Sequence, residues 1–277
     1  MDEIARYNIA RWQALADADA LFTRPALGLD PAAALALVDP EGLLGTIAGR
    51  AVLCLAGGGG RQSVAFAILG ARVTVADLSE AQLARDRAAA AHYGVHVEAI
   101  QADMRDLAAL PERSFDIVHQ PYAINFVPEV SAVFREVARV LKPGARYYFH
   151  CANPFFSGIG TRDWNGEGYT LREPYVAGAE TTYADEPWVH ADGRADARAI
   201  PGPREYRHTL GALIDGLSAH GFVLRHLAEF KDLHPDPHAT PGSWQHLAAI
   251  APPWLAFWSD YRPEGSGESV AAEAKSR

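Results

Sequence analysis

The sequence predicts an α/β fold, a mostly parallel sheet with helices on both faces, and three observations lead to it. Short apolar runs alternate with helix-like segments through much of the chain. The first run, Val52 to Leu55, empties into the glycines Gly57 to Gly60, and the next run ends in the carboxylate of Asp77. The longest apolar stretches fall well short of the roughly 18 residues a membrane helix needs. Alternation of this kind folds as strand, helix, strand units with parallel neighbours.

Each element follows from local chemistry. Asp2 to Leu21 brings Ile4, Tyr7, Arg11, Ala14 and Leu15 near one helical face, with Trp12 on its flank. Asp39-Pro40-Glu41-Gly42 introduces a short element before the first strand. The glycines allow a sharp turn and close approach of a ligand, and the helix Gln62 to Leu69 presents unpaired N–H groups behind them. The strand Arg72 to Ala76 delivers Asp77, placed to accept both hydroxyls of a ribose. Ser79-Glu80-Ala81-Gln82 reads as a capping box, and the helix it opens stops at Gly94.

Val95 to Ile100 predicts a third strand ending at Asp103. Phe115 to Val118 predicts a fourth, ending at His119-Gln120-Pro121-Tyr122. Pro128 opens a helix with Val130, Val133, Phe134, Val137 and Leu141 at helical spacing, stopped by Lys142-Pro143-Gly144. Arg146 to Cys151 completes five strands. From Ala152 to Pro203 the pattern breaks into an insertion rich in rings: Phe155, Phe156, Trp164, Tyr169, Tyr175, Tyr183 and Trp188. A helix from Thr209 to His220, a strand from Phe222 to Ala228 and a last apolar run, Trp244 to Ile250, follow. The tail from Pro263 is polar and reads as disordered.

Composition narrows the function. A chain of 277 residues with 49% hydrophobic content suits one α/β domain with additions. A formal charge of −9, with arginines interspersed among acids, disfavours a nucleic-acid partner and favours a small-molecule substrate. Nothing suggests a membrane partner, and the acidic start Met1-Asp2-Glu3 is unlike a signal peptide, so a cytoplasmic location is expected. The oligomeric state is left open. In His234-Pro235-Asp236-Pro237-His238 the prolines prevent a helical ligand face, so no metal site is expected.

The order of Val52 to Gly60, Val75-Ala76-Asp77-Leu78-Ser79, Gln101-Ala102-Asp103-Met104, Phe115-Asp116-Ile117-Val118 and Val140-Leu141-Lys142-Pro143-Gly144 resembles the class I S-adenosylmethionine-dependent methyltransferases. The resemblance covers roughly residues 45 to 151 and 209 to 250. It implies a Rossmann-like seven-stranded sheet with an antiparallel last strand, and S-adenosyl-L-methionine as methyl donor for a small molecule. It divides the chain into an N-terminal helical lid (1–45), a donor-binding core (46–151), a substrate-covering insertion (152–206), the C-terminal part of the sheet (207–262) and the tail (263–277). It places one strand between those of Cys54 and Cys151, about 9.6 Å apart, so both are expected reduced.

Carried over by position, Ala56, Gly57 and Gly58 would approach the methionine part of the donor and Asp77 would hold its ribose. Leu78 and Gln82 would flank the adenine, Asp103 would accept from its amino group beside Met104, and Gln120 would line the methionine side. Cys54 stands where the family usually has an acid, and Ala56 where it has a glycine. Tyr7, Arg11 and Trp12 are candidates to complete the site. If the acceptor is a hydroxyl, His119, His150 and Tyr122 are the candidate catalytic groups near strand ends. The insertion's rings are the expected source of substrate contacts, against the alternative that they form its own small core.

Three rival readings stand beside this one. A nicotinamide-dependent oxidoreductase also uses a glycine turn and a following acid, although its fingerprint wants Gly or Ala where this chain has Ser63. A non-catalytic donor-binding module is the second. The third keeps the fold and donor but runs another reaction.

Overall fold

The computed structural model describes residues 1–181, 200–230 and 234–263. The expectations for Tyr183, Trp188 and the tail beyond Pro263 fall outside the described residues. The N-terminal helix α1 (Glu3–Asp17) is capped by Asp2, whose side chain accepts from the Ala5 N–H at 2.8 Å. A second helix, α2 (Pro31–Val38), begins on Asp30 with proline at its first turn, and Asp39-Pro40-Glu41-Gly42, where a short element was expected, is a turn that leads on from it. Then come β1 (Ala51–Leu55), α3 (Gln62–Ile68), β2 (Arg72–Asp77) and α4 (Glu80–Tyr93). Gly94 ends α4 in the left-handed region at φ 65°, a position glycine occupies without penalty.

The chain continues through β3 (Val97–Gln101), β4 (Phe115–Gln120), α5 (Val130–Val140) and β5 (Leu141–Ala152). A two-stranded ribbon, β6 (Glu180–Thr181) with β7 (Glu205–Tyr206), brackets the rest of the insertion. The chain then forms α6 (Leu210–Ala219), β8 (Phe222–Phe230), α7 (Trp244–Ile250) and β9 (Trp254–Tyr261). The main sheet has seven strands in the order β3-β2-β1-β4-β5-β9-β8, and β9 runs antiparallel to both of its neighbours.

The apolar run Trp244 to Ile250 is therefore a helix, and the closing strand lies after it. Ser243 accepts from the His246 N–H at 3.3 Å and so starts a helix, which ends before Pro252 and Pro253. A run of seven residues carries too few turns for periodicity to separate helix from strand. The Ser79 box forms by half: Ser79 Oγ accepts from the Gln82 N–H at 3.4 Å, but the Gln82 side chain turns toward the glycine loop.

Strand alternation sends Leu53, Leu55 and Val118 to one face, against Val133, Phe134 and Val137 of α5 and Leu213 and Leu217 of α6. Val52, Cys54, Val75 and Ile117 face α2, α3 and α4 through Val38, Phe66 and Leu83. Cys54 and Cys151 are buried and free, with β4 between their strands. A fully buried large apolar side chain contributes roughly 1.5–3 kcal/mol, so α5 is anchored by its core face alone. Helix α1 buries Asn8 and Arg11 beside Leu15 and relies more on polar fastenings. Asp2 pairs with Arg105 at 2.6 Å, and Arg85 donates to the carbonyls of Ala16 and Thr23 at 2.6 and 2.8 Å.

The turn after β1 is the tightest part of the fold. Gly60 has φ 73°, and a Cβ there would lie 2.7 Å from Ala89 Cβ and 2.9 Å from the Arg85 carbonyl. Gly60→Ala should therefore cost about 3 kcal/mol or more in denaturant unfolding. Ala56 holds φ 48° without being glycine, and Ala56→Gly should stay within about 1 kcal/mol of wild type because relieved strain offsets lost chain stiffness.

Candidate active site

The glycine turn opens into a cavity of about 600 Å³ above the carboxyl ends of the central strands, within the roughly 300–1,000 Å³ typical of small-molecule sites. Ala56, Gly57 and Gly58 form its floor, and Asp77, at the tip of β2, its wall. Asp77 Oδ2 accepts from the Gly58 N–H at 2.9 Å and Oδ1 from the Ser79 N–H at 2.8 Å. A carboxylate has about four acceptor positions, so each oxygen keeps a lone pair for a ligand. Burial pushes the Asp77 carboxyl upward, opposed by those N–H groups. Gly58 must be bare: a Cβ would lie 2.6 Å from Gln82 Cβ and 2.9 Å from Asp77 Oδ2.

Leu78, Gln82, Asp103 and Met104 continue the wall. Gln82 Oε1 is buried with no hydrogen-bond partner among the described residues, an acceptor left over at the cavity's edge. Arg105 grips Asp103 (Nη2 to Oδ2 2.6 Å) and Asp2 together, so the end of β3 is tied to the start of α1. These two carboxylates raise the Arg105 guanidinium above its ordinary value.

Helix α1 closes the opposite side through Asn8, Arg11 and Trp12. Arg11 is 5% exposed, and its Nε donates to the Pro201 carbonyl at 3.0 Å. Among the described residues it has no carboxylate at ion-pair distance, and desolvation lowers its value. Tyr7 does not line the cavity; its hydroxyl donates to the Gly202 carbonyl at 2.7 Å and fixes α1 to the insertion's exit.

The far end is aromatic. Phe126 meets Trp12 and Tyr122 edge-on at 5.9 and 6.0 Å, and Trp254 and Phe22 complete the wall. Tyr122 donates to Glu205 Oε2 at 2.9 Å. His150 lines the same end, 5.8 Å from the Tyr122 ring, and desolvation holds its imidazole down at about 4, hence neutral at pH 7.

Two candidates lie elsewhere. His119 is level with Cys54 in the β1–β4 register and shares its face of the sheet, stacked 4.4 Å from Tyr148 and edge-on to Phe66. Desolvation drops it to about 3, and it does not line the cavity. Gln120 is fully buried rather than on the methionine side. It donates to Met104 Sδ at 3.1 Å and accepts from the Tyr147 hydroxyl. The insertion's described rings also miss the cavity: Phe155 stacks on Tyr175 at 4.9 Å, Phe156 packs on Trp244, and Trp164 on Tyr169 and His246. Phe156, Trp164 and Tyr169 pack with α7, Phe155 and Tyr175 stack on the surface, and the cavity's rings come from α1, the segment after it, the β4 loop and β9.

Asp86 joins the site with no motif around it to announce a role. From the interior of α4 it accepts from the Gly59 N–H with Oδ2 at 2.9 Å and from the Gly60 N–H with Oδ1 at 3.0 Å, and Ser63 Oγ donates to it as well. Paired amides ahead of a helix are an anion seat that nucleotide folds offer to phosphate. Here the chain's own carboxylate fills it. Its spacing was a signal, since Leu83, Asp86, Ala89 and Ala90 share the buried stripe of α4.

Residues 53–149 match a family model described as a methyltransferase domain. These residues form a methyltransferase domain. Over 103 residues the chain is 43% identical to an uncharacterized methyltransferase of Bacillus subtilis, 37% of this chain and 40% of that one. Over 157 residues it is 34% identical to the ubiquinone biosynthesis O-methyltransferase of Pseudomonas syringae pv. tomato, 55% of this chain and 66% of the relative. The matches thus span 40% and 66% of these relatives' lengths. An S-adenosylmethionine-dependent methyltransferase from Mesorhizobium loti superposes with TM-score 0.61 at 24% identity, over 85% of this chain and 100% of that one. Geranyl diphosphate C-methyltransferase from Streptomyces coelicolor gives 0.55 at 17% identity, over 84% and 79%. Both likenesses are of fold.

Asp77→Ala should weaken binding of S-adenosylhomocysteine at least about a hundredfold, because two hydrogen bonds to a charged group at roughly 1.5–3 kcal/mol each are lost. Titration calorimetry checks this, and affinity within about threefold of wild type would remove Asp77 from the site.

Proposed function

We propose that the chain transfers a methyl group from S-adenosylmethionine to a hydroxyl of a small, largely apolar or aromatic acceptor. The observation that carries this reading is the pair of carboxylates around the glycine turn. Asp77 keeps acceptor positions at the cavity wall for a ribose, while Asp86 fills the amide seat that a dinucleotide's pyrophosphate would need. A donor with a ribose and no phosphate suits that arrangement, and a nicotinamide dinucleotide does not. Gln82 Oε1, buried without a partner among the described residues, supplies a further acceptor for a nucleoside.

Bound in this site, the donor would supply a methyl group on a sulfonium, which already carries a good leaving group. The chain therefore has to orient the acceptor in a dry pocket more than activate it. Asp77 would hold the ribose, Leu78 and Met104 the adenine faces, Asp103 its amino edge, and bare backbone at Gly57 and Gly58 the methionine portion. Trp12, Phe126 and Trp254 would exclude water around the acceptor. Arg11, a buried cation among these rings, suits an acceptor that also carries an acidic group. His150, neutral in this setting, would take the hydroxyl proton, with Tyr122 fixed on Glu205 alongside. The relative named for O-methylation in ubiquinone biosynthesis supports an oxygen acceptor. The segment 1–45 would act as cover for the donor and acceptor ends, with Pro203 and Glu205 from the described end of the insertion at its rim.

Incubation with the donor and a metabolite extract should yield at least one product heavier by one CH₂ in mass spectrometry. With that acceptor, His150→Gln should lower kcat by about 10²–10⁴ while donor affinity holds. A base that is neutral above about pH 4 loses function only as pH falls through that value, so kcat at saturating donor should stay level between about pH 6 and 8. Unchanged kcat in the variant would leave the reaction to positioning alone.

A further inference from the structure

Consecutive N–H groups of the turn are each taken by a carboxylate: Gly58 by Asp77, and Gly59 and Gly60 by Asp86. Asp86 is fully buried, and among the described residues no cation pairs with it. Its neighbour Arg85 points away, donating to Ala16, Thr23 and Asp19. The groups that face Asp86 are the Cys54 thiol from β1, kept neutral by burial, the Asp77 carboxylate from β2 and the Ser63 hydroxyl from α3. None brings positive charge. A buried carboxylate in such company costs the fold, and an apolar residue on this stripe of α4 would not incur that cost.

We propose that Asp86 is a positioning residue for the methyl donor: in its ionised form it holds Gly59 and Gly60 from behind, and through Gly58 it sets Asp77 for the ribose. The inference rests on the donor reading above. An ionised carboxylate accepts from all three donors, the two amides and the Ser63 hydroxyl. A protonated one must give up part of that acceptance, and the turn slackens. The donor is a cation, and its arrival favours the ionised form.

Burial and the Asp77 charge push the Asp86 carboxyl up to about 7, while Ser63, Gly59 and Gly60 pull it down. The signs for affinity and stability then differ. Folded chains keep a proton on Asp86 between about pH 4 and 7 that unfolded chains release, so its contribution to stability declines as pH rises through that range. Donor affinity rises over the same range as the clamp ionises. A residue with only a structural role would move both in one direction. His150 at about 4 and His119 at about 3 do not titrate there.

The test is calorimetric titration of S-adenosylmethionine into the full chain at pH 6, 7 and 8, with denaturant unfolding at each pH. Wild type should bind about tenfold more tightly at pH 8 than at pH 6, the limit for one group titrating near 7. Asp86→Asn should bind no better at pH 8 than wild type does at pH 6, with a flat profile. Relative to the variant, wild-type affinity should rise with pH while wild-type stability falls. Ser63→Ala, a milder change, should move the midpoint of the wild-type profile upward, since it removes a donor to the charged form. A slope that survives in Asp86→Asn belongs to another group, Asp77 or the donor's own α-amino group, and overturns the proposal, as does wild-type affinity in that variant or an unmoved midpoint in Ser63→Ala. If wild type binds no donor even at pH 8, the donor reading itself falls and takes this inference with it.

Discussion

The structure depends on the fastening of one turn by carboxylates from its two neighbours. Gly58, Gly59 and Gly60 present successive amides, and Asp77 from β2 and Asp86 from α4 accept all three. Backbone amides at such a turn need partners when buried, and the identity of the partner decides what the turn can bind. Because Asp86 fills the phosphate seat and Asp77 retains free lone pairs at the cavity wall, the same glycines that suit a dinucleotide elsewhere here suit a nucleoside without phosphate. Gly58 and Gly60 then become steric requirements as well, since each lies against Gln82 or α4 with no room for a Cβ.

The cavity built on that turn has two chemical ends. Polar groups gather where β2 and β3 finish, with Asp77, Gln82 and the Asp103–Arg105–Asp2 chain. Rings gather where β4, β5 and β9 meet, with His150, Tyr122 and Glu205 among them. Helix α1 spans both, tied to the polar end by Asp2 and to α4 by Arg85, and it brings Arg11 and Trp12 to the middle. Few of its own apolar side chains are buried, so its position over the cavity follows from those polar ties. Among the described residues no helix is long and apolar enough to cross a membrane.

What could be read from the chain was whatever depends on local chemistry. The glycines, the strand ending at Asp77, the Ser79 cap and the Gly94 stop have causes within a few residues, and each stands where the sequence placed it. Facing was harder. His119 and Gln120 end the right strand, but alternation turns the first into the α2–α3 face and the second onto Tyr147 and Met104. The level position of His119 with Cys54, already read as buried, was the available clue. The rings of the insertion found one another and α7, a long-range choice that no local pattern encodes. Asp86 was visible only as a charge on an apolar helical stripe, and its partners lie 23 to 27 residues away.

The most direct measurement of the central claim is a crystal structure of the chain grown with S-adenosylhomocysteine. The account predicts both ribose hydroxyls on the Asp77 carboxylate, with Asp86 still holding the amides of Gly59 and Gly60. A ligand seated on those amides with Asp86 pushed aside, or solvent alone beside Asp77, would contradict it.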